Sequence, residues 1–163
     1  MSKAFISYMS ENSRRTSIDL LNSRLADTID LTLAVKQAHW NIKGPSFIGI
    51  HELLDAVADR LRDNGDTMAE RCVLLGGQAH GTVQSVSSDS ELKPYPVDAQ
   101  NQAVHVDALT ERFMALGKSL RESIDAAAEA GDEDTADLFT EVSRIVDKDA
   151  WFIGAHNDHG DDA

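Results

Sequence analysis

The sequence predicts an all-α fold, a four-helix bundle with a long crossover connection between its second and third long helices. Apolar residues recur at steps of three and four along four long segments, which is the spacing of amphipathic helices. Aromatic residues make up 6% of the chain and prolines number three, which disfavours an all-β sandwich. With 163 residues, 42% of them hydrophobic, the chain is long enough to bury the core of one domain.

The first two helices are predicted on either side of a short turn. The first runs from about residue 16, where Thr16 begins a capping-box pattern, to about residue 39. Gly44 and Pro45 interrupt the pattern, and the second helix runs from about residue 46 to residue 75, ending at Gly76 and Gly77. The apolar sides of the two helices contain Ile18, Leu21, Leu25, Ile29, Thr32, Leu33 and Val35, and then Ile50, Leu53, Leu54, Val57, Leu61 and Met68.

A long surface connection and two further helices complete the predicted bundle. Residues 78–97 contain Ser, Gly and the prolines Pro94 and Pro96, so we expect a connection that could hold a short helix. The third long helix is predicted from about residue 98 to residue 129, ending at Gly131, and the fourth from about residue 132 to residue 156. Their predicted buried residues are Val104, Leu109, Phe113, Leu116, Leu120 and Ile124, and then Ala136, Phe139, Val142, Ile145, Val146, Trp151 and Phe152. Four long helices with one long middle connection are typical of a ferritin-like bundle.

Composition and termini suggest how the chain is organised and where it acts. We divide it into an N-terminal head (1–15), a ferritin-like helical domain (16–158) and an acidic C-terminal tail (159–163). The N-terminus lacks the apolar core of a secretory signal, and no apolar run reaches the length of a membrane span, so we expect a cytoplasmic protein. The single cysteine, Cys72, excludes an internal disulfide framework, and its apolar neighbours predict a small buried residue. The net charge of −13 opposes binding to nucleic acid and favours cations.

The second predicted helix carries an acidic stripe on the side opposite its apolar residues. At about 100° per residue, the stripe covers roughly a third of the helix circumference. Its members are His51, Glu52, Asp55, Asp59, Asp63, Asp66 and Glu70. One interpretation is a solvated face that Arg60 and Arg62 partly neutralise. The other is a set of metal ligands.

Spacing within the stripe supports the second interpretation. His51 and Asp55 are four residues apart, as are Asp66 and Glu70, so each pair projects from adjacent turns and could bind one ion. His39 lies just across the short turn, and imidazole with carboxylate but no thiolate suits iron, manganese or zinc. However, His51 and Asp66 are separated by roughly 22 Å along one helix, so one chain cannot bring both pairs to one ion. A shared metal site is therefore conditional on dimerisation through a two-fold axis.

These residues lie in segments that resemble the Dps family of mini-ferritins. The segments are KQAHWNIKGPSFIGIHELLD and GDTMAER, accompanied by LKPYP, DTAD and SRIVDKDAWF, and the similarity extends from about residue 16 to residue 152. The resemblance implies a hollow shell of twelve four-helix bundles with a ferroxidase site at each two-fold interface. It assigns the ligands His39, His51 and Asp55 to one subunit and Asp66 and Glu70 to the other, completing the set.

The resemblance also implies a reaction. We expect a ferroxidase that oxidises Fe(II), preferably with hydrogen peroxide and alternatively with oxygen, and stores ferric mineral in the shell, which would combine iron storage with protection against oxidative damage. Iron is the metal implied at the five ligands, and carboxylates together with imidazoles suit both of its oxidation states. Trp40 matches a family tryptophan that would absorb oxidising equivalents beside the site, and the alternative is ordinary packing at a helix end.

Other acidic residues have weaker functional interpretations. By resemblance, Asp134, Asp137 and Glu141 would line a three-fold pore through which iron enters the shell. The alternative is helix capping, because Asp132, Glu133 and Asp134 suit the start of a helix. Glu52, Asp59 and Asp63 on the stripe could nucleate mineral in the cavity or could simply be solvated.

The sequence departs from the family pattern in its DNA-binding features. DNA-condensing members typically carry a lysine-rich N-terminal tail, whereas this head has only Lys3, Arg14 and Arg15 against Glu11. Twelve chains of −13 each would repel phosphate, so we expect weak or absent DNA binding. The alternative function is a nucleoid protein that condenses DNA and uses the shell as a scaffold. Near the C-terminus, His156 and His159 are expected to be solvated rather than to bind metal.

Overall fold

The computed structural model describes residues 3–157, and this range contains five helices and no strand. They are α1 (Glu11–Asn41), α2 (Phe47–Leu74), α3 (Val83–Asp89), α4 (Gln102–Glu129) and α5 (Glu133–Gly154). The predicted all-α class with a crossover connection is confirmed, and α3 is the short helix within that connection. No helix in residues 3–157 is long and apolar enough to span a membrane.

The four long helices pack as two pairs around one core. α1 lies along α2 and α4 along α5, while further contacts join α1 to α4 and α2 to α5. The short helix α3 lies against α1. The largest completely buried side chains come from all four long helices and include Leu21, Leu54, Phe113 and Phe139. Cys72 is buried as predicted.

The helix ends are set by local hydrogen bonds. Of the four ends that a glycine or a cap residue marks, the sequence predicted three correctly. Gly76 and Gly131 adopt positive φ angles of 86° and 81° just after α2 and α4, as their predicted role in helix termination requires. Asp132 caps α5 by accepting a hydrogen bond from the Thr135 backbone N–H. The predicted start near residue 16 was wrong, because Ser10 caps α1 by accepting from the Ser13 N–H, so residues 11–15 of the head are helical.

Three residues predicted on buried faces are exposed within one chain. Trp151 on α5 is 68% exposed and Leu33 on α1 is 56% exposed, and Val104 near the start of α4 is also exposed. Helical spacing predicted these positions to be buried, but in residues 3–157 the packing of the helices leaves a large part of each side chain exposed. The exposed side chain of Leu33 is relevant to the site described below.

Two ion pairs fix α2 against α5. Arg60 donates to both carboxylate oxygens of the buried Asp149, at 2.6 and 3.1 Å from Oδ1 and 3.2 Å from Oδ2. Arg71 donates to Oδ1 of the buried Asp132 at 2.7 Å. Burial disfavours the Asp132 carboxylate, but the hydrogen bonds from Thr135 and the positive charge of Arg71 outweigh this effect and lower the pKa of Asp132. These contacts hold the helix that carries most of the candidate ligands.

Candidate metal centre

His39 and His51 face each other across the turn between α1 and α2. The turn contains Gly44, whose φ of 152° favours glycine, and it brings the last turn of α1 beside the first turns of α2. The two imidazole rings stack with centroids 3.7 Å apart and an interplanar angle of 20°. His39 is only 6% exposed, and His51 is half-buried.

Reciprocal hydrogen bonds fix both imidazole rings. Nδ1 of His39 lies 2.8 Å from the carbonyl oxygen of His51, and Nδ1 of His51 lies 2.9 Å from the carbonyl oxygen of His39. Because a carbonyl oxygen can only accept, each Nδ1 carries the hydrogen and donates it. Each Nε2 therefore keeps its lone pair in the neutral ring. Metal-binding histidines commonly have this arrangement, in which a carbonyl partner orients the ring and sets its tautomer.

Asp55 lies one helical turn after His51 and completes the same cluster. Its Oδ1 is 3.6 Å from Nε2 of His39 and accepts a hydrogen bond from Nζ of Lys36 at 2.5 Å. The Lys36 hydrogen bond lowers the pKa of Asp55, although the carboxylate is exposed. The structure therefore brings together three of the five predicted ligands, and imidazole nitrogen with carboxylate oxygen are the donor types that suit transition-metal ions.

Trp40 follows His39 at the end of α1. It is 69% exposed, so ordinary packing within the chain does not account for it. Nζ of Lys36 lies 5.7 Å from the centre of its ring. The same lysine thus connects Trp40 with Asp55.

The other two predicted ligands lie far from this cluster. Asp66 and Glu70 are exposed on adjacent turns of α2, fifteen residues beyond His51 and Asp55, which corresponds to roughly 22 Å along the helix axis. Within residues 3–157 of a single chain, no group of three or more His, Cys, Asp or Glu side chains could hold a metal ion, so His39, His51 and Asp55 alone are not a complete site. The five residues therefore divide into two sets at opposite ends of α2.

An apolar surface surrounds the Asp66 and Glu70 set. Asp66 borders a groove between α1 and α2 that is lined by Ile29, Leu33 and Ala69 among others. Glu70 borders a second groove with Phe5, Val73 and Leu74. Apolar side chains around an isolated carboxylate pair are typical of a surface that another chain covers.

The remaining acidic residues occupy the first turns of α5 and the exposed face of α2. Asp134, Asp137 and Glu141 are exposed and follow the Asp132 cap, so the predicted capping interpretation is confirmed for Asp132. On α2, Glu52, Asp59 and Asp63 are exposed. Arg62 donates to Asp59, but Arg60 binds Asp149 instead of the stripe, which corrects the expectation that both arginines neutralise it. His156 is exposed, and His159 lies outside the described residues.

Lys36 is the residue of this cluster that sequence reasoning missed. A signal was present, because Lys36 lies three and four residues before His39 and Trp40 and so shares their side of α1. Its hydrogen bond to Asp55 depends on how α1 and α2 pack, which a single-helix pattern does not reveal.

Comparison with known proteins agrees with this fold. A family model for the ferritin-like domain matches residues 18–162. A DNA protection during starvation protein of Agrobacterium fabrum is 52% identical over 145 residues, which cover 89% of this chain and 90% of that protein. Among solved structures, Mycobacterium smegmatis Dps superposes with a TM-score of 0.93 at 30% identity, covering 99% of this chain and 91% of that one. DpsC from Streptomyces coelicolor gives 0.91 at 30% identity, covering 96% and 92%.

The fold and these matches define a ferritin-like protein. Within that class, the chain belongs to the Dps family, as its motifs predicted.

Proposed function

We propose that this protein is a ferroxidase and iron store, which oxidises Fe(II) at sites shared between two subunits and keeps the ferric product inside a twelve-subunit shell. Hydrogen peroxide is the preferred oxidant, and the reaction takes place in the cytoplasm. Removing Fe(II) and peroxide together suppresses hydroxyl-radical formation, so the same reaction protects the cell.

The single observation that carries this proposal is the reciprocal pairing of His39 and His51. Each ring donates Nδ1–H to the other residue's carbonyl oxygen, which leaves both Nε2 lone pairs free, and the Nε2 of His39 lies 3.6 Å from Oδ1 of Asp55. A pair of histidines held only for packing would not need both rings in one tautomer. Imidazole nitrogen suits Fe(II), whereas carboxylate oxygen suits the harder Fe(III), so the set fits an ion that changes oxidation state.

Sharing between subunits follows from the separation of the two ligand sets. Asp66 and Glu70 are too far along α2 to join His51 in the same chain. If the second helices of two copies run antiparallel across a two-fold axis, the histidine set of each copy meets the carboxylate pair of the other. The exposed Leu33 and the apolar groove beside Asp66 support such a contact between two subunits.

The reaction balances with iron and peroxide as substrates. Two Fe(II) ions each lose one electron, and hydrogen peroxide accepts both electrons as its O–O bond breaks. Water supplies the remaining oxygen of the ferric oxyhydroxide product, and protons are released. Within this scheme the histidines and Asp55 bind Fe(II), while Asp66 and Glu70 complete its coordination from the other subunit. Trp40, which lies beside the site, is itself oxidised by oxidising equivalents that would otherwise yield free radicals.

The exposed acids have supporting roles in the same proposal. Asp134, Asp137 and Glu141 attract Fe(II) at a pore, and Glu52, Asp59 and Asp63 provide carboxylates on which mineral nucleates. Their exposure is consistent with these roles, since buried carboxylates could not meet hydrated ions.

An anaerobic iron titration tests the proposal directly. Purified protein is loaded with Fe(II) without oxygen, hydrogen peroxide is added, and ferric product is followed by ultraviolet absorbance while light scattering reports particle size. His51→Ala should slow the initial oxidation by tenfold or more, on the order expected for loss of a ligand, without changing particle size. Lys118→Met is a control away from the site, because Lys118 is exposed on α4, where it pairs with Glu122. An initial rate for His51→Ala equal to that of wild type would contradict the proposal.

DNA binding is the second candidate function, because the Agrobacterium fabrum relative is named for the protection of DNA, which a protein could achieve by coating it. The charge of this chain argues against it, because the head carries three basic residues against Glu11 on a chain of net charge −13. We therefore infer that any association with DNA or with the nucleoid is weak.

A further inference from the structure

The turn between α1 and α2, residues 42–46, is held by the start of α4. The backbone N–H of Gln102, the first residue of α4, donates to the carbonyl oxygen of Lys43 at 3.1 Å. The side-chain Oε1 of Gln102 accepts a hydrogen bond from the backbone N–H of Ser46, also at 3.1 Å. Between these bonds the side chain lies against Gly44, where an added Cβ atom would be 3.1 Å from both Cβ and Oε1 of Gln102. Gln102 therefore contacts the turn along most of its length.

We propose that Gln102 is a positioning residue for the metal centre: it fixes the turn so that the rings of His39 and His51 stay paired, with both Nε2 atoms ready for a metal ion. Gln102 acts through the backbone of the turn rather than as a ligand. This inference rests on the proposed function, because it assigns a role at the same site.

Ser46 marks the point where the turn ends and α2 begins, and Gln102 contributes the side-chain contact at that point. The side chain of Ser46 forms no capping hydrogen bond at the start of α2. The turn closes locally through a hydrogen bond from the Phe47 N–H to the Gly44 carbonyl oxygen at 3.1 Å. That local bond sets the shape of the turn, whereas the bonds of Gln102 set its position relative to α4. Loss of the Oε1 acceptor would leave the Ser46 N–H to water and release the beginning of α2.

The histidine pair depends on the position of this turn because both of its hydrogen bonds connect the two helices that the turn joins. The rings of His39 and His51 each donate to the carbonyl oxygen of the other residue, at 2.8 and 2.9 Å. Hydrogen bonds from N–H to a carbonyl oxygen lose strength beyond about 3.2 Å. A shift of α2 relative to α1 by roughly half an ångström would therefore weaken both bonds together and allow both rings to rotate.

Gln102 is held on both sides, which suits it to support the turn. Asn101 caps α4 by accepting a hydrogen bond from a backbone N–H in the first turn of that helix at 3.0 Å. Earlier in the chain, the carbonyl oxygen of Val97 accepts a hydrogen bond from Nε2 of Gln37 on α1 at 3.3 Å. The segment that leads into α4 is therefore tied to α1, and Gln102 presents its amide oxygen at a fixed position. A binding site keeps its geometry only when the residues around it are held in this way.

Two substitutions separate the hydrogen bond of Gln102 from its packing against Gly44. Because a backbone N–H can only donate, the atom of Gln102 that faces Ser46 must be an acceptor. Gln102→Glu keeps an oxygen acceptor at the same position, whereas Gln102→Met keeps the length of the side chain and offers only a weakly accepting thioether. Gln100 is exposed two residues earlier in the chain, so Gln100→Met is the matched control.

Hydrogen exchange followed by mass spectrometry tests the contact in the assembled, metal-free protein. In Gln102→Met, the Ser46 amide should exchange about tenfold faster than in wild type, because its acceptor is lost. Gln102→Glu and Gln100→Met should keep the protection of wild type. Unchanged protection of Ser46 in assembled Gln102→Met would overturn the inference.

Anaerobic binding of Co²⁺ tests the consequence for the histidine pair without any oxidation step. The visible absorption of bound Co²⁺ depends on the number and arrangement of its ligands. The ions whose binding is lost in His51→Ala are those at the site. For these ions, Gln102→Met should weaken affinity about fivefold, on the order expected for one lost hydrogen bond, and should change the absorption spectrum. Gln102→Glu and Gln100→Met should stay close to wild type in both.

The outcomes separate a positioning role from a merely structural one. A structural role would lower the unfolding temperature of Gln102→Met but leave its Co²⁺ affinity and spectrum unchanged, which would overturn the inference. An equal effect of Gln102→Glu would also overturn it, because the acceptor would then not be what matters. Either result leaves the proposed function standing, whereas absence of His51-dependent Co²⁺ binding in wild type would overturn both. Gln102→Leu repeats the test if Gln102→Met does not assemble.

Discussion

Complementation between two defective subunits tests whether each site is shared across a two-fold interface. One variant carries His51→Ala and Asp55→Ala, and the other carries Asp66→Ala and Glu70→Ala. In shells made of either variant alone, every site lacks one of its two ligand sets, so peroxide-driven oxidation should fall to background. None of the four residues belongs to the apolar core, so both variants should fold and assemble.

The size of the recovery follows from two-fold geometry. In a mixed pair, the second variant supplies His51 and Asp55 to one site, and the first variant supplies Asp66 and Glu70 to the same site. That site is complete, while the other site of the pair has neither set. Random pairing of equal amounts makes about half of the pairs mixed, so about a quarter of all sites are complete. Rescue within one chain is excluded by the separation of roughly 22 Å along α2.

The assay compares initial rates of Fe(II) oxidation in shells whose mixed composition has been verified with two different affinity tags. We expect about a quarter of the wild-type rate from the mixture. Shells assembled from two tagged forms of the same variant are the control and should stay inactive. Inactivity of verified mixed shells would refute sharing across the interface. Substantial activity in either variant alone would instead show that one ligand set suffices.

Three further predictions concern stability, Trp40 and DNA. Asp132→Asn keeps a cap for α5 but removes the charge facing Arg71, so urea denaturation at pH 7 should show a loss of roughly 3 kcal/mol. Because the pKa of Asp132 is lowered on folding, this difference should disappear as pH falls below 3.8, and a constant difference would contradict the assignment. Trp40→Phe should leave the oxidation rate within about twofold but raise the hydroxyl-radical yield in spin trapping, and an equal yield would remove its proposed role. In a gel shift at pH 7.5 and about 150 mM salt with chelator present, plasmid mobility should not change, whereas a clear shift would restore the nucleoid role.

Much of the fold could be predicted because it depends on local patterns. The apolar spacing of Leu21, Leu54 and Phe113 predicted buried helix faces, and Gly76 and Gly131 predicted helix ends, since each effect acts within a few residues. Trp151 shows where this reasoning fails. Its side chain is 68% exposed, because the packing of the helices, which helical spacing alone does not give, decides how much of each position is covered.

The candidate site was predictable in composition but not in geometry. Four-residue spacing indicated the pairs on α2, and residue type indicated the class of metal. The hydrogen bonds between His39 and His51 depend on the shape of the turn that joins α1 to α2, which spacing along one helix cannot give. The position of Lys36 in the cluster could not be predicted, for a different reason. A lysine near the end of a helix is usually solvated, and its bond to Asp55 exists only because two helices meet there.

Charge alone would make this surface a poor discriminator among metal ions. A chain with a net charge of −13 attracts every divalent cation, and exposed carboxylates such as Glu52 and Asp63 offer the oxygen ligands that Mg²⁺ and Ca²⁺ prefer. The imidazoles of His39 and His51 change this balance, because nitrogen ligands favour transition metals over those abundant ions. Their carbonyl partners hold both Nε2 atoms ready for coordination, so little reorganisation is needed when the ion arrives. Under the proposed function, the acidic surface concentrates cations in general, and the histidine pair selects among them. The same negative charge would repel DNA phosphates, so under this proposal a surface suited to collecting iron is unsuited to coating a nucleoid.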